Sequence, residues 1–174
     1  IVSRTLTREA SKMPQTTYRT VMPVGIEGAI ADDGPAVDIE SRVSSLSNAT
    51  EIPFGRPVAS VSGSSAKACV LCTSYTDTPI GIAVHSHSYA AEELGTAGIK
   101  SGAMVNVLRH GRIRVKAGGS IEDGQRLHYQ TSKGKWVTSA VATDTIDLTA
   151  QVIARSSGVL NDLIIAEVDM SNKS

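Results

Sequence analysis

Aromatic side chains are scarce in this chain. They make up 3% of its 174 residues, with one phenylalanine (Phe54), one tryptophan (Trp136) and four tyrosines. A core built from Val, Ile, Leu and Ala buries less area per side chain than one with aromatic anchors, so assembly with other chains is expected to supply part of the stability. The scarcity also weighs against a carbohydrate-binding module and against a single-strand nucleic-acid binder, both of which need aromatic platforms. Cysteine is limited to Cys69 and Cys72, too few for a disulfide framework. No run approaches the roughly 18 apolar residues of a membrane-crossing helix, and no basic-then-apolar leader opens the chain. Net charge is also missing: 17 basic and 17 acidic side chains cancel. A dedicated nucleic-acid binder is usually strongly basic, so neither nucleic acid nor a membrane is expected as a partner.

Complete catalytic motifs are missing as well. No Gly-x-Ser-x-Gly elbow, phosphate-cradling loop or strand-to-helix GxGxxG occurs. Ser64-Ser65-Ala66-Lys67 matches Ser-x-x-Lys, but that chemistry needs a helix after the serine, and a strand is expected here. Cys69 and Cys72 form a CxxC without a second pair, so a closed four-ligand zinc site is unsupported. Their i, i+3 spacing in a strand points the two thiols to opposite faces, which reads as two small apolar side chains. The sharpest enzymatic candidate is His85-Ser86-His87 followed by Glu92. Two histidines at i and i+2 share one strand face, and a nearby carboxylate can complete a metal site. This spacing resembles the first cupin motif, which makes a cupin-like metal-binding β-barrel enzyme the alternative reading. The flanking glycines are misplaced, however, and the second cupin motif is missing. No catalytic residue, metal or cofactor is therefore assigned.

What is present is a chain of short β-type runs. From residue 57 they fall at 57–61, 68–75, 80–85, 104–109, 112–117, 126–130, 135–139, 148–154 and 163–168. Turn signals separate them, including Gly63, Gly111, Gly118-Gly119, Asp123-Gly124, Lys133-Gly134 and Gly158. This spacing is the signature of an all-β sandwich or barrel. Trp136 sits in the return strand of an expected hairpin over 127–137. Arg112, Arg114 and Lys116 alternate with Ile113 and Val115, which places three cations on one strand face. Four domain-level segments follow: an extended basic arm (1–22), an irregular Gly/Pro-rich stretch with one possible strand (23–56), the β-barrel or jelly-roll-like sandwich (57–170) and a short tail (171–174). The arm carries Arg4, Arg8, Lys12 and Arg19 against Glu9 alone. From Glu27 to Glu51 six acids stand against Arg42 alone. Such asymmetry suits an electrostatically guided partner. Arg4, Arg8, Lys12, Arg112, Arg114 and Lys116 are the candidate contact residues.

Three phrases in order carry a resemblance: Glu51-Ile52-Pro53-Phe54-Gly55-Arg56-Pro57-Val58, Pro79-Ile80-Gly81-Ile82-Ala83-Val84-His85 and Val105-Asn106-Val107-Leu108-Arg109-His110-Gly111-Arg112-Ile113-Arg114-Val115. Gly25-Ile26-Glu27-Gly28 precedes them. Their order resembles the structural cement, or capsid head-decoration, proteins of tailed bacteriophages, in which the third phrase forms a hairpin. The resemblance implies a non-catalytic β protein of the virion. It would sit on the outer surface of the capsid and join major capsid protein subunits as a dimer or trimer at a symmetry axis.

Overall fold

The computed structural model describes residues 25–32, 37–45, 51–63, 67–85 and 98–171. The expected basic arm, with Arg4, Arg8 and Lys12, lies outside these residues. The described residues form strands and turns without a helix. The strands are β1 (Ile30–Asp32), β2 (Asp38–Ser44), β3 (Glu51–Pro53), β4 (Pro57–Ser60), β5 (Ala68–Leu71), β6 (Pro79–Ala83), β7 (Gly98–Lys100), β8 (Met104–Lys116), β9 (His128–Gln130), β10 (Lys135–Val137), β11 (Thr145–Asp147), β12 (Val152–Ala154) and β13 (Leu163–Asp169). The all-β expectation holds. The stretch 23–56, read as holding one possible strand, has three among its described residues.

Five strands close on themselves in the order β8-β2-β5-β4-β6 and back to β8. Closure is made where Ile82 faces Leu108 and Ala83 faces Val107. Of the two expected β architectures, the barrel is the one formed. Its neighbours are antiparallel except β2 and β5. A five-stranded barrel is narrow, and its interior is filled accordingly by Val58, Cys69, Ala83, Val105 and Val107. Gly81 is required by this geometry, because a Cβ there would meet the Leu108 carbonyl oxygen at 2.5 Å. One end of the barrel is filled by Ile52, Phe54 and Ile99; Ile52 and Ile99 face each other in the β3–β7 ribbon.

Strand β8 runs on past the barrel. Residues 104–110 pair with β2, whereas 110–116 pair with β13, and Arg112 and Ile113 also pair with β1. Gly111, expected to turn a hairpin, lies inside this continuous strand at φ +135°. There it marks the place where β2 leaves the strand, beside the register shift between Asp38 and Ile39. Around the second half of β8 a larger core assembles from Ile113, Val115, Leu127, Tyr129, Trp136, Leu148 and Ile164. Each such fully buried aliphatic contributes about 1.5–3 kcal/mol. The three-stranded sheet β10-β9-β11 closes over it. The hairpin expected over 127–137 is present, with Trp136 facing Tyr129 across β9 and β10. The barrel's outer residues Ile82, Leu108 and Cys72 belong to this same core.

Strand β2 is inverted with respect to its own pattern. Glu40 faces Val107 and Arg42 faces Val105 across β8, and directly opposed residues share a face. Glu40, Arg42 and Ser44 therefore line the barrel's inner face. Ile39 and Val43 take the outer one, each about 40% exposed, with Met104 paired to Val43 and 65% exposed. A strand whose charges point in and whose aliphatics point out conflicts with burial preference, and such conflicts concentrate at functional positions.

Candidate functional site

The phrases singled out in the sequence converge at one junction between barrel and lobe. Gly28 donates its N–H to the Arg114 carbonyl (2.7 Å) and accepts from the His85 N–H (2.8 Å). Gly55 donates to the Ala83 carbonyl (2.8 Å). The buried Trp136 indole Nε1–H donates to the Gly55 carbonyl at 3.0 Å. Segments 25–28, 53–55, 83–85 and 114 are thus stitched together by backbone bonds, with the sole tryptophan as their side-chain partner. The Phe54 and His85 rings meet at 4.7 Å. Beside the junction, burial raises the Glu27 carboxyl against the opposing pull of Arg56, Lys116 and Lys135. Burial also pushes the Tyr129 phenol up to about 12, with Arg56 acting the other way. This junction is structural: it fixes the lobe on the barrel.

The basic face of β8 alternates as expected, with Ile113 and Val115 fully buried behind it. Its cations are engaged within the chain. Arg112 Nε reaches Glu167 at 3.0 Å, and Arg155 holds the same carboxylate, also at 3.0 Å. Arg155 first, then Arg112, draws the Glu167 carboxyl below its usual range. The Arg114 side chain lies against Gly25, where a Cβ would come within 2.6 Å of its Cδ. Lys116 is among the cations acting on Glu27. Tyr129 does not stack on this face; it is buried against Trp136, with ring centroids 5.4 Å apart.

A second cluster escaped sequence reading. At the barrel end away from the Ile52, Phe54 and Ile99 plug, the inward-facing Glu40 meets three cations. Lys67 Nζ stands 2.9 Å from it, Arg42 3.1 Å and Arg109 3.8 Å. Arg42 also donates to Ser60 Oγ at 3.1 Å, and Arg109 donates to the Ser171 carbonyl at 3.0 Å. Lys67 above all, with Arg42 behind it, lowers the Glu40 carboxyl against the burial that raises it. The signal in the sequence was the charged pair Glu40 and Arg42 alternating with Ile39, Ser41 and Val43. It points to a strand with a polar inner face only once its barrel partners are known.

The other candidates fall as follows. His85 is placed at the junction, while His87 and Glu92 lie outside the described residues, as do Ser64, Ser65 and Ala66. Lys67 leads into β5, and no helix follows it. Cys69 and Cys72 are free, buried and on opposite sides of the barrel wall, as their spacing required. Burial raises both thiols, that of Cys69 to about 11, so neither is an activated nucleophile. The most exposed paired aliphatics, Val159 and Leu160, sit on a turn fixed by Asn161 at φ +73° and by the Asp162 carboxylate accepting from the Val159 N–H (2.9 Å). Among the described residues no three His, Cys, Asp or Glu side chains gather into a metal-binding group.

A small closed barrel with an attached β lobe defines an all-β protein. A family described as structural cement protein (E217 gp24/Pam3 gp6) matches residues 14–168; the chain belongs to that phage structural family and is a capsid component. Among solved structures, the head fiber gp8.5 N base of bacteriophage phi29 is similar at 15% identity and TM-score 0.48, covering 79% of this chain and 98% of that one. No curated protein matches the chain.

Proposed function

We propose that this protein binds the outer surface of an assembled phage head and cements contacts between neighbouring major capsid subunits, acting as a dimer or trimer at a capsid symmetry axis. The observation that carries this reading is the cement-family match over 14–168, which spans the barrel, the junction and nearly all of the lobe. Physical chemistry supports it. A barrel and lobe sharing one strand make a rigid body suited to bridging two subunits. The basic arm adds a segment able to gain contact area on a neighbour at an entropic cost. Many copies on one lattice act together, so avidity exceeds the affinity of any single contact. Arg4, Arg8, Lys12, Arg112, Arg114 and Lys116 are the proposed contact residues. No catalytic step is assigned to the chain.

The test mixes purified protein with expanded heads that lack it. Binding should saturate at a fixed copy number per capsid subunit and raise the temperature at which heads release DNA. Heads that neither take up the protein nor gain heat resistance would refute the proposal.

A further inference from the structure

We infer that the open end of the barrel, lined by Arg42, Lys67 and Arg109 around Glu40, is a socket for an acidic side chain of the partner protein. The inference rests on the capsid-docking reading and names the chemistry of one contact within it.

Three observations carry it. First, the ion pairs described at this mouth join one carboxylate to three cations, at 2.9, 3.1 and 3.8 Å. Second, the Arg42 and Arg109 side chains are only 15% and 21% exposed, so their charge is screened less than that of fully exposed cations. Third, β2 turns Glu40 and Arg42 inward at the expense of exposing Ile39 and Val43. Packing alone favours the opposite register, so the strand gives up burial to place charge at the mouth.

Accessibility is graded in the way a socket needs. The Lys67 side chain is 72% exposed at the rim, whereas Arg109 is 21% and Arg42 15% exposed within. An incoming carboxylate meets Lys67 first and then the guanidinium of Arg109, whose planar fork suits a carboxylate. The occupant is protein and not nucleic acid. The chain as a whole is neutral, and the three cations gather around one carboxylate instead of forming the extended basic track that a phosphate backbone requires. Ile39, on the outer rim next to Glu40, offers an aliphatic neighbour for the residues flanking the acid.

The test compares Lys67→Glu with the wild type and with Lys133→Glu, an exposed turn lysine remote from the mouth. Each is titrated onto expanded heads lacking the protein, at low and at elevated salt. Lys67→Glu should need at least about tenfold more protein for half-saturation at low salt, the scale of a reversed charge in a close pair; Lys133→Glu should bind as the wild type does. Growing the Lys67→Glu phage should yield suppressors in which an acidic residue of the major capsid protein becomes Lys or Arg. Wild-type binding with Lys67→Glu equally tight would overturn the socket and leave the capsid role standing. Loss of binding by the wild type itself would fail the capsid reading instead. Lys67→Met, which removes charge without reversing it, should give an intermediate shift; circular dichroism confirms that each variant is folded.

Discussion

Gly28 and Gly55 pack backbone to backbone, each in the left-handed region and neither with room for a Cβ. Their φ values are +80° and +73°. A Cβ on Gly28 would lie 2.8 Å from the Gly55 nitrogen and 2.6 Å from the Phe54 Cβ; one on Gly55 would lie 2.8 Å from the Glu27 Cγ. Two sequence phrases separated by more than twenty residues are thus two halves of one contact.

Substituting either glycine tests that contact. Gly28→Ala and Gly55→Ala should each destabilise by at least about 2 kcal/mol, since left-handed strain and overpacking act together. Gly63→Ala shares the positive φ but has open space around it, so it should lose only about 1 kcal/mol. Chemical denaturation of the three variants side by side checks the ranking.

Trp136→Phe removes the indole donor from the Gly55 carbonyl and leaves a void in the larger core. The expected loss is about 2–4 kcal/mol, combining an unmet buried acceptor with a cavity. Calorimetry measures it, and the wild type's intrinsic fluorescence, which comes from this one tryptophan, should report unfolding of barrel and lobe together.

Acid and base act oppositely on different carboxyls. Glu167, held by Arg155 and Arg112, and Asp169, held by Ser171 and His110, are depressed. Their stabilisation is full above the unfolded values of 4.5 and 3.8 and is lost as pH falls through the folded ones. Glu27 is raised above 4.5 by burial, so its penalty is absent below that value and grows as pH rises through its folded value. Glu27→Gln should therefore melt higher than the wild type at pH 7, with the difference shrinking towards pH 4. A melting series across that range decides it; a wild-type advantage at pH 7 would show that Arg56, Lys116 and Lys135 outweigh desolvation.

Deleting residues 1–20 should leave the far-ultraviolet β signal and the melting transition intact while weakening uptake onto heads. The described strands run from Ile30 to Asp169, and the deletion leaves all of them in the chain. Loss of the β signal on deletion would place the arm in the core instead.

Much of the barrel and lobe was legible because alternation is a local property. Ile113 and Val115 against Arg112 and Arg114 gave the faces of β8, and Trp136 gave its hairpin. Gly111 misled for a physical reason: glycine marks both turns and strand positions of unusual φ, and only the pairing of β13 with residues 110–116 distinguishes them. The mouth cluster was not legible, because Glu40, Lys67 and Arg109 are brought together by barrel closure over long sequence separations. The parallel pairing of β2 with β5, which sets Lys67 beside Arg42, leaves no local trace.

Strand β8 has a mechanical meaning. Its thirteen residues belong to the barrel at one end and the lobe at the other. Tension along this strand pulls its ladders lengthwise, so the hydrogen bonds to β2 and β13 must slide in concert and cannot open one by one. A load pulling barrel and lobe apart would meet a stiff tie, which yields all at once or not at all.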